Sequence, residues 1–139
     1  FYGGEKPNSY DYKVINKNNI NFKNILFFND LDFSLSYMYS NVLALIYPSM
    51  YEGFGIPILE AMTLGCPVIS SNGGALKEVG GDGLQYFNPN EIDDIKNKLE
   101  NFLNSENFIK EKVNYGFERS KKFSWKKCAE ETLSIYKKI

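Results

Sequence analysis

Glu52 and Glu60 are the side chains of this chain whose type and spacing suit chemistry, with seven residues between them. An ionised carboxylate accepts from two neighbouring O–H groups at once, which fits the vicinal hydroxyls of a sugar or a ribose. Between the two glutamates, Gly53 and Gly55 remove side chains where backbone N–H groups would face a ligand. Pro57 carries the fixed backbone angle of a first helical position and needs no hydrogen-bond partner there. A helix start, a glycine pair and a strand end together make an anion site. The pattern therefore offers an anion site flanked by hydroxyl acceptors. A plainer account fits the same residues: the helix macrodipole favours acids near a helix start, and glycines serve a turn. Spacing alone leaves both accounts standing.

The elements that must hold this stretch are legible around it. Ala44-Leu-Ile-Tyr47 is a short apolar run stopped by Pro48, which predicts a buried strand. Pro57 then opens a helix that turns Leu59 and Met62 inward and ends at Gly65 in the left-handed conformation. Glu52 falls in the loop at the strand's carboxyl end, and Glu60 one turn inside the helix. Ile25-Leu-Phe-Phe28 and Pro67-Val-Ile-Ser70 predict two more buried strands, and Leu84-Gln-Tyr-Phe87 the last. Pro7 to Asn24 carries a weak helical pattern at Tyr10 and Val14. Asp32 is placed to cap a helix from Phe33 to Asn41. Asn72-Gly-Gly74 predicts a turn and Ala75 to Val79 a short helix. A helix from Glu91 would bury the stripe Ile92, Ile95, Leu99, Phe102 and Leu103. Another, from Glu106 to Ser120, carries Phe108, Ile109, Val113 and Phe117. Ser124 is placed to cap the last, whose apolar face is Trp125, Cys128, Ala129, Leu133 and Tyr136. Strands alternating with helices, without hairpin signals, predict an α/β domain over 1–139 with a parallel sheet covered by helices on both faces. Ligands of such sheets bind at the carboxyl ends of the strands, where the loops at Asn29, 49–56 and 72–75 would lie.

Tyr47-Pro-Ser-Met-Tyr-Glu-Gly-Phe-Gly-Ile-Pro-Ile-Leu-Glu-Ala-Met-Thr-Leu-Gly-Cys-Pro-Val-Ile-Ser-Ser71 resembles the signature of the retaining GT-B glycosyltransferases of family 4. The similarity continues through Gly73 to Val79 and Gly81-Asp-Gly83. The resemblance implies the Rossmann-like C-terminal domain of that fold, which binds a nucleoside-diphosphate sugar for transfer with retention of configuration. It implies that Glu60 accepts from the ribose and Glu52 from the donor sugar at the reacting end. Backbone N–H groups of Gly53, Phe54, Gly55 and Ile56 would face sugar and diphosphate. In the family the nucleobase meets a loop that matches Phe28 and Asn29, although the glycine often found after that strand is lacking here. A strand ending in Gly-Gly, as in Phe1-Tyr-Gly-Gly4, is the second of that domain. The preceding unit, with an Arg and a Lys for the diphosphate, is therefore expected in a longer protein. The partners implied are the nucleotide sugar and, through that missing half, a glycan, lipid or protein acceptor. A non-catalytic nucleotide-sugar-binding module, a sugar phosphorylase and a nucleotide-sugar epimerase remain as alternatives.

Composition narrows the field from outside. A formal charge of −1 leaves no basic footprint for nucleic acid. With no histidine, the chain has neither an imidazole base nor an imidazole metal ligand. Two cysteines, Cys66 and Cys128, are too few for a disulfide framework and suggest a reducing, cytoplasmic setting. The missing half could bring the enzyme to the cytoplasmic face of a membrane. Asp30-Leu-Asp32 has the spacing of an acidic pair that holds a divalent cation. Asp32 has a local role as helix cap, however, and the resembled family handles its diphosphate without an essential metal. No metal and no further cofactor are expected.

Overall fold

The computed structural model describes residues 7–28 and 34–138. The chain divides into two compact units, Phe1–Leu35 and Ser36–Ile139.

In the first unit, helix α1 spans Ser9–Lys17. The Asn8 side chain accepts from the N–H groups of Tyr10 and Asp11, and the Asp11 carboxylate accepts from Asn8 N–H at 2.8 Å. That reciprocal cap satisfies donors a helix start otherwise leaves open. A single 3₁₀ turn follows at Phe22–Asn24, and Tyr12, Phe22 and Phe27 stack in series. The strand expected over Ile25 to Phe28 is not formed; Phe28 alone makes a bridge. The reason is local. Asn21 caps the 3₁₀ turn, and Ile25 N–H closes it on Phe22 O at 3.0 Å, so this donor is not available to a ladder. Asn29 and the Asp30-Leu-Asp32 pair, with the expected Asp32 cap, lie outside the described residues.

In the second unit, β1 (Leu45–Tyr47), β2 (Val68–Ser71) and β3 (Gln85–Phe87) form a parallel sheet in the order β1-β2-β3. Tyr47 pairs with Ser70, and Ser71 with Phe87. All four residues of the central strand are buried, so both its faces are covered, as a parallel sheet requires. Helix α2 (Leu35–Asn41) precedes β1. Helix α3 (Ile56–Thr63) links β1 to β2, and α4 (Leu76–Gly80) with a 3₁₀ turn at Gly81–Gly83 links β2 to β3. Helices α5 (Ile92–Leu103), α6 (Glu106–Ser120) and α7 (Trp125–Tyr136) complete the chain. Ile69, Phe87 and Phe102 form the centre of one core layer, with Ile95, Leu99, Phe108 and Ile109 packed on it.

The helix stripes differ from expectation at their ends. Ile92 is 83% exposed and Leu103 is also exposed, so only the middle of the α5 stripe is core. On α6 the buried residues are Gly116 and Ser120, not Phe117. Gly116 lies against Gly83, and Lys112 reaches Asp82 O at 2.8 Å. The helix is drawn onto the glycine turn by backbone proximity, which an apolar stripe does not record. Ser124 caps α7 as expected, with its hydroxyl accepting from Lys127 N–H. No residue of α7 is buried.

Candidate functional site

The site begins where β1 ends. Leu45–Tyr47 runs beside β2, and the chain turns at Pro48 into the loop that carries Glu52. Two serines of β2 fix this turn from the side. The Ser70 hydroxyl donates to Ser71 O at 3.1 Å and approaches Tyr47 O at 3.4 Å. The Ser71 hydroxyl donates to Ser49 O. Both serines are fully buried, so these contacts also satisfy hydroxyls that would be costly to leave unpaired.

The segment after β2 closes over the same loop. Ala75 N–H donates to Glu52 O at 3.0 Å. A Cβ on Gly73 would fall on the Met50 carbonyl oxygen, and one on Gly74 on the backbone of Glu52. Gly74 also sits at φ +55°. The expected turn at 72–74 therefore exists, with positive φ at Gly74 alone, and its purpose is close approach. Backbone can press against backbone here only because the side chains are absent.

Helix α3 starts one residue earlier than Pro57 implied. Gly55, at φ +94°, is the N-cap, Ile56 the first helical residue and Pro57 the second. A proline is tolerated there because first-turn N–H groups have no partner in their own helix. Gly65 ends the helix at φ +69°, as expected. Ile58, Ala61 and Met62 are buried and Leu59 half-buried, so α3 is anchored by its apolar face. Gly53 faces open space, whereas a Cβ on Gly55 would meet the Leu76 side chain. The loop is thus open at Gly53 and packed at Gly55.

Each glutamate has a tyrosine partner that sequence reasoning missed. The Tyr47 hydroxyl donates to Glu52 Oε1 at 2.7 Å. This bond, with a second from Ser49, holds the Glu52 carboxyl below its ordinary range. Tyr47 is itself pushed up to about 12, by burial first and then by its bond to Glu52. It remains a proton donor at every physiological pH. Glu60 is exposed on α3, and the buried Tyr39 of α2 approaches its Oε2 at 3.5 Å. Burial raises the Tyr39 hydroxyl most, with the Glu60 charge second. The two carboxylates thus flank the start of α3, each against a phenol.

Phe54, between the glycines, keeps its ring half in solvent and meets Phe123 edge-on at 5.7 Å. Arg119 lies 5.9 Å from the Phe123 ring and donates through Nε to Val79 O at 2.6 Å. A second guanidinium nitrogen donates to Glu78 O. One cation therefore closes the carbonyl end of α4 beside an aromatic contact to the glycine loop. Among the described residues, no three His, Cys, Asp or Glu side chains gather as metal ligands. None of the described helices is long and apolar enough to cross a membrane.

Comparison with known proteins decides the family. Residues 1–119 match the family described as Glycosyl transferases group 1. This chain belongs to that family. It is 40% identical over 106 residues to O-antigen chain mannosyltransferase B of Escherichia coli, covering 76% of this chain and 28% of the relative. Its fold superposes on sucrose-phosphate synthase of Thermosynechococcus elongatus with a TM-score of 0.82 at 24% identity, over 99% of this chain and 37% of the synthase. It also superposes on the C-terminal domain of a glycosyl transferase group 1 protein of Francisella tularensis, with a TM-score of 0.66 at 22% identity. That match covers 81% of this chain and 60% of the other. The expected class is therefore the observed one, an α/β domain with a parallel sheet that matches the C-terminal domain of GT-B glycosyltransferases, although among the described residues the sheet has three strands and not the four expected. The chain spans about a quarter of the length of the mannosyltransferase it matches.

Proposed function

We propose that this group 1 glycosyltransferase domain binds a nucleoside-diphosphate mannose and presents it for transfer with retention of configuration. The observation that carries the reading is the placement of Glu52 and Glu60 on either side of the Gly53–Pro57 turn, at the carboxyl edge of a parallel sheet. Mannose is chosen because the E. coli relative is named a mannosyltransferase.

In this reading Glu60 accepts from the ribose hydroxyls and Glu52 from those of the sugar at the reacting end. The N–H groups of Gly53, Phe54, Gly55 and Ile56 face the sugar and diphosphate, and Pro57 has no N–H to offer. The departing diphosphate gains negative charge, and N–H dipoles fixed by a folded loop stabilise that charge without reorganising. No resident metal is required for this. The rest of the protein supplies the acceptor site for a glycan, lipid or protein, and further cations for the diphosphate. The present chain by itself binds donor and turns it over scarcely.

The test is a thermal-shift and calorimetric screen of the whole enzyme against GDP-, UDP- and ADP-linked mannose and glucose, with the matching nucleoside diphosphates, in EDTA. A mannose nucleotide should bind and raise the melting temperature by mass action. Glu52→Gln should leave the bare nucleoside diphosphate bound and remove the extra affinity that the sugar confers. Absence of binding by every probe, or binding only with added manganese, would refute the reading.

A further inference from the structure

Glu52 sits on a loop beside a glycine with open space around it, which is a poor place to hold a flexible carboxylate. A binding side chain has to be held near its productive geometry before the ligand arrives, or the ordering cost is subtracted from affinity. The backbone of Glu52 is fixed by Gly74 and Ala75. Those contacts leave its side-chain torsions free. The groups that restrain the carboxylate are the Tyr47 hydroxyl at 2.7 Å and the Ser49 hydroxyl.

Of these, Tyr47 is the stiffer. Its backbone lies in β1, in register with Ser70, and its ring is half-buried. A tyrosine has only two side-chain torsions, so a strand-anchored phenol delivers its O–H with little entropic loss. Ser49 divides its hydroxyl between Glu52 and Tyr51 O, the latter at 3.3 Å. With Oε1 engaged by Tyr47, the carboxylate retains lone pairs to accept from sugar hydroxyls.

We infer that Tyr47 is the positioning residue of the donor-sugar site, holding the Glu52 carboxylate turned and ionised for the sugar hydroxyls. The inference rests on the role proposed for Glu52 and adds the group through which that role is exerted. Tyr47 does not touch the ligand; it acts through Glu52. Among the described residues the titratable neighbours are few. Tyr47 faces Glu52 from β1, and Tyr39 of α2 feels the Tyr47 hydroxyl only after burial, Glu60 and Cys66.

The experiment uses the whole enzyme and the mannose nucleotide that binds best among those linked to GDP, UDP and ADP. The reading is the ratio of its affinity to that of the matching nucleoside diphosphate, across pH 4 to 8. Tyr47→Phe keeps the ring and removes the hydroxyl. It should lower the ratio roughly tenfold or more, the scale of a lost hydrogen bond to a charged group, and leave nucleoside diphosphate affinity unchanged. The acid limb of the ratio should move to higher pH, because Glu52 loses the bond that favours its ionised form. The double variant Tyr47→Phe/Glu52→Gln should bind the sugar no worse than Glu52→Gln alone. That equality holds even if Tyr47→Phe also lowers the melting temperature. A ratio and acid limb unmoved by Tyr47→Phe, while Glu52→Gln abolishes the sugar increment, would overturn the inference and leave the role of Glu52 intact. Equal weakening of both ligands, or a double variant clearly worse than Glu52→Gln, would make Tyr47 a brace of the fold and overturn it too. If Glu52→Gln alone changes nothing, the role of Glu52 itself fails.

Discussion

Glu52 and Glu60 flank one turn, but different kinds of structure hold them. Glu52 is fixed through its backbone by Gly74 and Ala75 and through its carboxylate by Tyr47 and Ser49. Glu60 depends on the helix beneath it. The α3 face below is buried at Ile58, Ala61 and Met62, and the side chain stands in solvent with one long contact to Tyr39. A loop has no internal hydrogen-bond ladder, so a loop carboxylate needs external restraint, whereas a helix supplies its own. The two acids should therefore respond to different lesions: Glu52 to changes in its supports, Glu60 chiefly to its own removal.

The largest effect should come from breaking the support of Glu52 without touching it. Gly74→Ala places a Cβ on the Glu52 backbone and imposes a left-handed angle on a residue that resists it. The obstacle is main chain, so no side-chain rotation relieves it. We expect a loss of roughly 3 kcal/mol of stability, the upper range for such strain, with loss of sugar-dependent binding in whatever remains folded. Gly53→Ala is the internal contrast. Its Cβ meets nothing within 4 Å and its φ is not positive, so stability should change by less than about 0.5 kcal/mol. Chemical denaturation of both variants measures the difference. Equal stability would mean that the Gly74 segment yields, and that Glu52 is not held from behind.

How far these supports could be read from the sequence depends on their range. Local signals were legible: Gly65 ends α3, Ser124 caps α7, and Val68-Ile-Ser70 is a strand buried on both faces. The turn of Gly53 to Pro57 between strand and helix was legible too, to within one residue at Pro57. What escaped was set by contacts across the fold. Tyr47 reaches Glu52 over a loop with no periodicity, and Arg119 reaches Val79 from forty positions away. The apolar run at 25–28 satisfied strand composition, yet a capped 3₁₀ turn claimed its first N–H. On α6, a glycine was buried where an aromatic was expected, because closeness to Gly83 outweighed side-chain area. Composition reports which surfaces are apolar; it does not report which backbones meet.

Removing Glu60 itself should give the next effect. Glu60→Ala should weaken binding of a nucleoside diphosphate by roughly 1–3 kcal/mol, the range for a charged hydrogen-bond partner. The side chain is exposed and alanine is the better helix former, so the melting temperature should hold or rise slightly. Calorimetry with the bare nucleoside diphosphate checks this. Unchanged affinity would remove Glu60 from the ribose site and leave the contrast between the two acids without functional meaning.

The smallest effect should come from Tyr39→Phe, which mirrors the Tyr47 substitution on the other acid. At 3.5 Å the Tyr39 hydroxyl is at the outer limit of hydrogen bonding to Glu60 Oε2. Burial is the first cause of its raised pKa, and the hydrogen bond to Glu60 ranks only fourth, behind the charges of Glu60 and Cys66. The bond is therefore weak, and α3 already sets the direction of Glu60. Phenylalanine keeps the ring in its buried place and loses a hydroxyl that gains little there. Nucleoside diphosphate affinity should change by less than about 0.5 kcal/mol, and the sugar-dependent increment not at all. Titration calorimetry on Tyr39→Phe beside Tyr47→Phe makes the comparison direct. If Tyr39→Phe cost as much as Glu60→Ala, the helix would not suffice to orient Glu60. Both carboxylates would then depend on a phenol, and the difference drawn between loop and helix would be lost.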